Sequence, residues 1–136
     1  MGRYITSMCF MGIDGPEHMN AVCGYFEDHP RQQGMISLID MAIGAGEKLK
    51  LDPQTYVGVE VFGNVEIADG GEMELGLYTT LSVGNNSTLT VKKGARLAVN
   101  NMGLYSQDGS SIIVENGADF EMNNNYQNSP ANIIYK

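Results

Sequence analysis

Apolar residues recur along this chain in pairs, with one residue between the two members and an interval of eight from pair to pair. The first members of eight consecutive pairs are Met41, Leu49, Val57, Val65, Met73, Leu81, Leu89 and Leu97. Such short alternation predicts strands with one buried face. Polar segments with glycine lie between the pairs, for example "ADGGE" and "GNNST", and they are typical of tight turns.

A longer repeat of 23 to 24 residues groups these strands in threes. "GGEMEL" (70–75) recurs as "GARLAV" (94–99) after 24 residues, and as "GADFEM" (117–122) after 23 more. Three strands per repeat predict a coil with three sides, in coils 41–64, 65–88, 89–111 and 112–135. The fold class we predict is therefore all-β, a triangular β-solenoid of about four coils of 23–24 residues around an apolar interior.

The repeat also predicts which residues stack on each side of the solenoid. Side 1 stacks Met41, Val65, Leu89 and Ile112; side 2 stacks Leu49, Met73, Leu97 and Phe120; side 3 stacks Val57, Leu81 and either Leu104 or Tyr105. The residues just before the side 2 pairs alternate in charge: Lys48, Glu72, Arg96 and Asp119. Exposed ion pairs contribute little stability, so we interpret this alternation as a device that fixes the register.

The segments "NNSTLTVKKGARLAVNN" and "SSIIVENGADFEM" resemble right-handed parallel β-helix proteins, especially the repetitive stalks of bacterial surface adhesins and autotransporter passengers. More distantly, the chain resembles the triangular solenoid core of the bactofilins, which are cytoskeletal polymers. Right-handedness follows from this resemblance and from the general chirality of parallel crossovers. The resemblance also favours a location at the cell surface, in the secreted fraction or in a virion, although no signal peptide is visible and the residues leave the localisation unknown.

The two ends of the chain depart from the repeat. We assign 1–40 to an N-terminal cap and 41–136 to the solenoid. "DGPEHMNAVCGYFEDHP" predicts a short helix in the cap, with Pro16 and Glu17 in its first turn. Its apolar stripe would contain Met19, Val22, Cys23 and Phe26. At the other end, Ile133, Ile134 and Tyr135 predict a last strand, and an uncovered edge strand invites pairing with another chain.

Composition excludes two classes of partner. The net charge is −8 and the pI is near 4.5, which argues against nucleic acid and against anionic membrane surfaces. No stretch approaches the 18 apolar residues of a membrane-spanning helix, so membrane insertion is not expected. Two cysteines do not make a disulfide framework, and a Cys9–Cys23 bond would require an oxidising compartment.

Three groups of residues are candidates for a functional site. Cys9, His18, Cys23 and His29 are ligand types that bind zinc, but their spacing matches no zinc-finger pattern, so we predict no metal and no cofactor. Glu72, Glu74, Asp119 and Glu121 could serve a glycoside-active enzyme, yet outward charges also keep a solenoid soluble. Tyr56, Tyr78, Tyr105 and Tyr126, near side 3, are the candidates for binding a glycan or a protein.

These observations predict a structural protein without enzymatic activity. It would associate with copies of itself, or with neighbouring solenoid coils, as part of a filament, a surface structure or a virion appendage. The alternative is an adhesin module that binds a glycan or a surface protein through side 3. A polysaccharide-active β-helix enzyme is the third hypothesis.

Overall fold

The structure is a computed structural model that describes residues 8–13, 16–29, 31–51, 56–99, 103–122 and 132–136. Within these ranges it contains fourteen strands and one α-helix. Every strand pairing is parallel, and the strands form three sheets. The predicted β-solenoid is therefore confirmed, with about five turns instead of about four.

Each sheet forms one side of the coil, and the helix α1 spans Pro16–Asp28. Side 1 consists of β3 (Ala42–Ile43), β6 (Asn64–Ile67), β9 (Thr88–Val91), β12 (Ser111–Val114) and β14 (Ile133–Tyr135). Side 2 consists of β4 (Lys48–Leu51), β7 (Glu72–Leu75), β10 (Arg96–Val99) and β13 (Asp119–Met122). Side 3 consists of β1 (Met8–Ile13), β2 (Gln33–Ile39), β5 (Val57–Phe62), β8 (Thr79–Val83) and β11 (Gly103–Ser106).

The additional turn comes from residues before position 41, in the segment that we assigned to the cap. Ile36 on β2 pairs with Val59 on β5, and β1 pairs with β2 in turn. Ile36 and Leu38 are fully buried, like the inward residues of the later strands. The interval of eight residues between apolar pairs did not reveal β2. Extended back from Met41, that interval would place Met35 inward, whereas the buried residues of β2 are Ile36 and Leu38.

Helix α1 covers the N-terminal end of side 2, and the predicted helix is confirmed. Met19, Val22 and Phe26 are buried as expected, while Cys23 is half-buried. The helix packs on β4, where the Cys23 thiol accepts a hydrogen bond from the backbone N–H of Lys50. This contact provides an acceptor for a backbone donor on the first strand of side 2.

Sides 1 and 2 have the predicted register. On side 1, Val65 pairs with Leu89 and Leu89 with Ile112. On side 2 the stack is Leu49, Met73, Leu97 and Phe120. Most of these side chains are 0–1% exposed and belong to one continuous apolar core.

Side 3 differs from the prediction by two residues. Leu81 pairs with Val59 instead of Val57, which pairs with Thr79, and the further pairing of Leu81 with Leu104 agrees with one of the two alternatives. β5 begins six residues after β4 ends, whereas β8 begins only four residues after β7 ends. A shift of two residues keeps every side chain on the same face, so alternation alone does not reveal it.

Glycines stack at the corner between sides 1 and 2. Gly46, Gly70, Gly94 and Gly117 have φ values of 78°, 83°, 83° and 93°, in the left-handed region that favours glycine. The N–H of each of the first three donates to the carbonyl of the next glycine, at 3.0 to 3.2 Å. These bonds carry the parallel ladder through the corner from one turn to the next.

Candidate functional sites

The last turn leaves apolar side chains of the inward rows exposed. Met122 pairs with Val99 and continues its inward row, yet it is 48% exposed. Tyr135 continues the row of Val114 and is 68% exposed, although Val114 itself is buried. The apolar column therefore reaches solvent at its C-terminal end, as far as the described residues show.

The N-terminal end of the same side is closed. Leu49 and Leu51 on β4, the first strand of side 2, are 0% and 1% exposed because α1 packs over them. Met122 on β13, the last strand, has no such cover among the described residues. Among the described residues, the two ends of side 2 are therefore unlike: a helix covers the edge of β4, and no residue covers the edge of β13.

A groove of about 500 Å³ lies at this open end. Its walls include Val114, Gly117, Ala118, Phe120, Tyr135 and Lys136. The rings of Phe120 and Tyr135 are 6.4 Å apart between centroids and lie on sides 2 and 1 respectively. The groove is thus bounded by the turn that follows β12, by β13 and by the residues at the end of β14.

The predicted association edge, Ile133, Ile134 and Tyr135, forms β14. Ile133 pairs with Ile112, and flanking backbone bonds join Asn132 to Ile112 at 2.8 Å and Lys136 to Val114 at 2.9 Å. The opposite edge of β14 pairs with no strand among the described residues. Within the described part of the chain, β14 is therefore paired on one edge and open on the other.

The structure brings together two of the four candidate tyrosines. Tyr56 and Tyr78 precede neighbouring strands of side 3, and their exposed rings meet edge to face with centroids 5.6 Å apart. Tyr105 faces outward on β11 and lies over Gly103, where its ring fills the space that a Cβ would need. Tyr126 lies outside the described residues. Tyr105 is not in ring contact with the other two.

Sequence reasoning missed further apolar residues on side 3. Ile39 and Phe62 are exposed at the ends of their strands, and Leu77 is exposed in the turn before β8. Phe62 lies over Gly84 in the same way that Tyr105 lies over Gly103. These residues could have been found from the sequence as apolar residues at strand positions that face outward. A search for pairs of inward-facing residues does not consider such positions. Side 3 thus carries several exposed apolar side chains and little charge on its outer surface, in contrast to the charged surface of side 2.

The charged residues of side 2 form ion pairs between turns, as the alternation predicted. Lys48 lies 3.4 Å from Glu72 and 3.5 Å from Glu74. Hydrogen bonding to Glu72 raises the pKa of Lys48. At the last turn, Arg96 donates hydrogen bonds of 2.7 Å to both Asp119 and Glu121. These carboxylates are solvated partners of basic groups, which suits a role in register and solubility.

Of the four metal-ligand candidates, His18, Cys23 and His29 have described side chains. Within the described part of the chain there is no group of three or more His, Cys, Asp or Glu side chains able to hold a metal. His29 stacks on Tyr25 with ring centroids 4.2 Å apart, and its Nδ1 lies 2.8 Å from the Tyr25 carbonyl. Cys23 carries a free thiol on α1, next to β4, and burial raises the pKa of that thiol. The side chain of Cys9 is not among those that the structure describes.

Comparison with known proteins adds no relative to this picture. No protein-family model, no curated protein and no solved structure matches the chain. The resemblance to adhesin stalks and to bactofilins therefore stays a prediction, and the solenoid fold is what the structure supports. Among the described helical residues, none form a segment long and apolar enough to cross a membrane.

Proposed function

We propose that this chain is a structural solenoid that associates with a second copy of itself through its C-terminal end. The observation that carries the proposal is the difference between the two ends of the apolar column. Leu51 on the first strand of side 2 is 1% exposed, whereas Met122 on the last strand is 48% exposed. An apolar strand edge without a cover invites pairing with another chain, whereas an edge covered by a helix does not.

Pairing at this end would bury apolar surface and satisfy backbone groups together. Covering the exposed parts of Met122 and Tyr135 would contribute about 1 kcal/mol each. The open edges of β13 and β14 would gain main-chain hydrogen bonds, which is how strand addition joins protein chains. These terms support a modest association, because ordering two partners opposes them.

Light scattering after gel filtration, from micromolar to millimolar concentration, tests the proposal. The mean mass of the native protein should rise with concentration. Replacing Ile133 with Pro removes a backbone donor and should abolish the rise. Tyr135→Ser should weaken it, since that side chain is the most exposed member of the inward rows.

The matched control is Tyr105→Ser, which removes another exposed tyrosine from a different surface. This variant should associate like the native protein. Circular dichroism of each variant checks that the β signal is retained. A native protein that stays monomeric at every concentration would refute the proposal, and so would equal effects of Tyr135→Ser and Tyr105→Ser.

A second candidate function is recognition of a glycan or a protein through side 3. The exposed pair of Tyr56 and Tyr78, together with Phe62 and Ile39, favours it. Aromatic residues stack well on sugar rings and are enriched in protein interfaces. Glu60 is the single charged residue among the outward positions of the described strands on this side from β2 to β11. Depletion of charge is a further property of interface cores.

A further inference from the structure

The groove at the end of side 2 has the backbone geometry of an open strand position. The N–H of Asp119 donates to the carbonyl of Ala95 at 2.8 Å. In a parallel ladder the bonded residues alternate, so the N–H groups of Phe120 and Met122 point away from β10. On β4, at the opposite end of side 2, the corresponding N–H of Lys50 is bonded to Cys23 of the covering helix.

The glycine corner ends at the same place. Gly94 donates its N–H to the carbonyl of Gly117, but the N–H of Gly117 has no hydrogen-bond partner among the described residues. This N–H points in the same direction as those of Gly46, Gly70 and Gly94, and so it faces the position that a next turn would occupy. A segment that docks here would therefore bring a turn, whose carbonyl accepts from Gly117, followed by a strand that pairs with β13.

The side-chain environment defines what such a strand must bury. Ala118, Phe120 and Tyr135 form the apolar part of the lining, and Glu115, Asn116 and Lys136 form a polar part. Side chains of a strand alternate between the two faces, so every second residue of the occupant would enter this lining. The residues between them would lie beside Asp119 and Glu121, on the outer surface.

The charge order along side 2 defines those outward residues. The successive outward rows contain Lys48 and Lys50, then Glu72 and Glu74, then Arg96, then Asp119 and Glu121. Each row is thus opposite in sign to the row before it. The last row has two carboxylates that share one arginine, and the Glu121 side chain is 61% exposed against 36% for Glu74. Since like charges across a ladder repel, the next row should be basic.

At the rim of the groove, where Lys136 also lies, the Glu115 carboxylate has basic partners. Its carboxylate accepts a hydrogen bond from the backbone N–H of Lys93 at 3.0 Å, and this bond lowers the pKa of Glu115. The side chain of Lys92 lies 3.2 Å away and acts in the same direction. Glu115 therefore stays ionised around neutral pH.

From these features we infer that the end groove of side 2 binds an extended turn-and-strand segment with the pattern glycine, then cation, apolar, cation, apolar. The inference goes beyond the proposed function, because the C-terminal end of a second copy presents the acidic Asp119 and Glu121 where this strand presents cations. Residues 44–51 of this chain, "GAGEKLKL", have this alternation of cations and apolar residues, with Glu47 between the glycine and the first cation. In a folded copy, helix α1 packs against the strand they form, so an isolated peptide is the suitable probe.

The test is fluorescence anisotropy of a labelled peptide, "IGAGEKLKLD" (43–52), titrated with the intact protein. The peptide should bind, and added salt should weaken binding because the ion pairs are exposed. A peptide with Lys48→Glu and Lys50→Glu should bind about fivefold more weakly than the native peptide, given typical strengths of exposed ion pairs. A peptide of the same composition, "IGAGELLKKD", should lose binding because its alternation is broken.

Variants of the protein locate the binding site. Asp119→Asn with Glu121→Gln should weaken binding of the native peptide about fivefold, by the same reasoning. The matched control is Glu72→Gln with Glu74→Gln, which removes two carboxylates from an inner row of the same side and should leave peptide binding unchanged. Equal binding of the three peptides, or no binding of any, would overturn the inference.

Light scattering on the same samples separates this inference from the proposed self-association. A protein that stays monomeric yet selects the native peptide would refute self-association and retain the strand partner. A protein that associates but ignores the peptide would refute the strand chemistry and retain the association.

Discussion

Replacement of Gly94 by alanine tests whether the corner between sides 1 and 2 needs a left-handed backbone. Gly94 has φ of 83°, accepts a hydrogen bond from Gly70 at 3.0 Å and donates one to Gly117 at 3.2 Å. An L-residue in the left-handed region costs roughly 1–2 kcal/mol. A Cβ at this position would also displace the exposed side chain of Asp69, which can move at small cost. We therefore expect a loss of about 1–2 kcal/mol from the free energy of unfolding.

Gly24 supplies a control of opposite sign. It lies in the exposed middle of α1, and a Cβ there would meet nothing within 4 Å. Gly24→Ala should raise the free energy of unfolding by about 1 kcal/mol, since alanine restricts the unfolded chain and favours helix. Gly94→Asn should lose less than Gly94→Ala, because asparagine tolerates this region, as Asn86 does at another corner with φ of 57°.

Urea unfolding followed by far-ultraviolet circular dichroism measures these differences. With a slope of about 2 kcal/mol/M, the midpoint should fall by roughly 0.5–1 M for Gly94→Ala and rise by about 0.5 M for Gly24→Ala. An unchanged or higher midpoint for Gly94→Ala would show that the corner does not require left-handed geometry. A lower midpoint for Gly24→Ala would contradict the exposed position of that residue.

Two further predictions concern Cys23 and the tyrosines of side 3. In a Cys9→Ser variant, Cys23 should react with a disulfide reagent several-fold more slowly in the native protein than in urea, because burial raises its pKa. Because the folded pKa of Cys23 is the higher one, its contribution to stability is complete below the unfolded pKa of 9.0 and is lost as the pH rises through the folded pKa. The urea midpoint should therefore fall at alkaline pH, and a rise would refute the assignment. If side 3 binds glycans, Tyr56→Ala with Tyr78→Ala should abolish retention on a glycan array while Tyr135→Ser leaves it intact; equal retention of both variants would exclude the tyrosine pair.

The sequence by itself determined the three-sided coil, the registers of sides 1 and 2, and the helix. All three depend on local signals: apolar alternation, turn glycines, and a helical stripe that includes Met19 and Phe26. The charge alternation from Lys48 to Asp119 was an additional register signal, and the structure places those residues on neighbouring strands.

Only the tertiary structure decided the register of side 3 and the character of the two ends. A displacement of two residues preserves alternation, so the pairing of Leu81 with Val59 depends on how many residues each corner takes up. Likewise, nothing in the pattern around Met122 differs from that around Leu75, which is 1% exposed. Their exposure differs because a further turn follows Leu75, while no described residue covers Met122. Burial in a stacked fold is thus a property of the neighbouring turn, which local sequence does not specify.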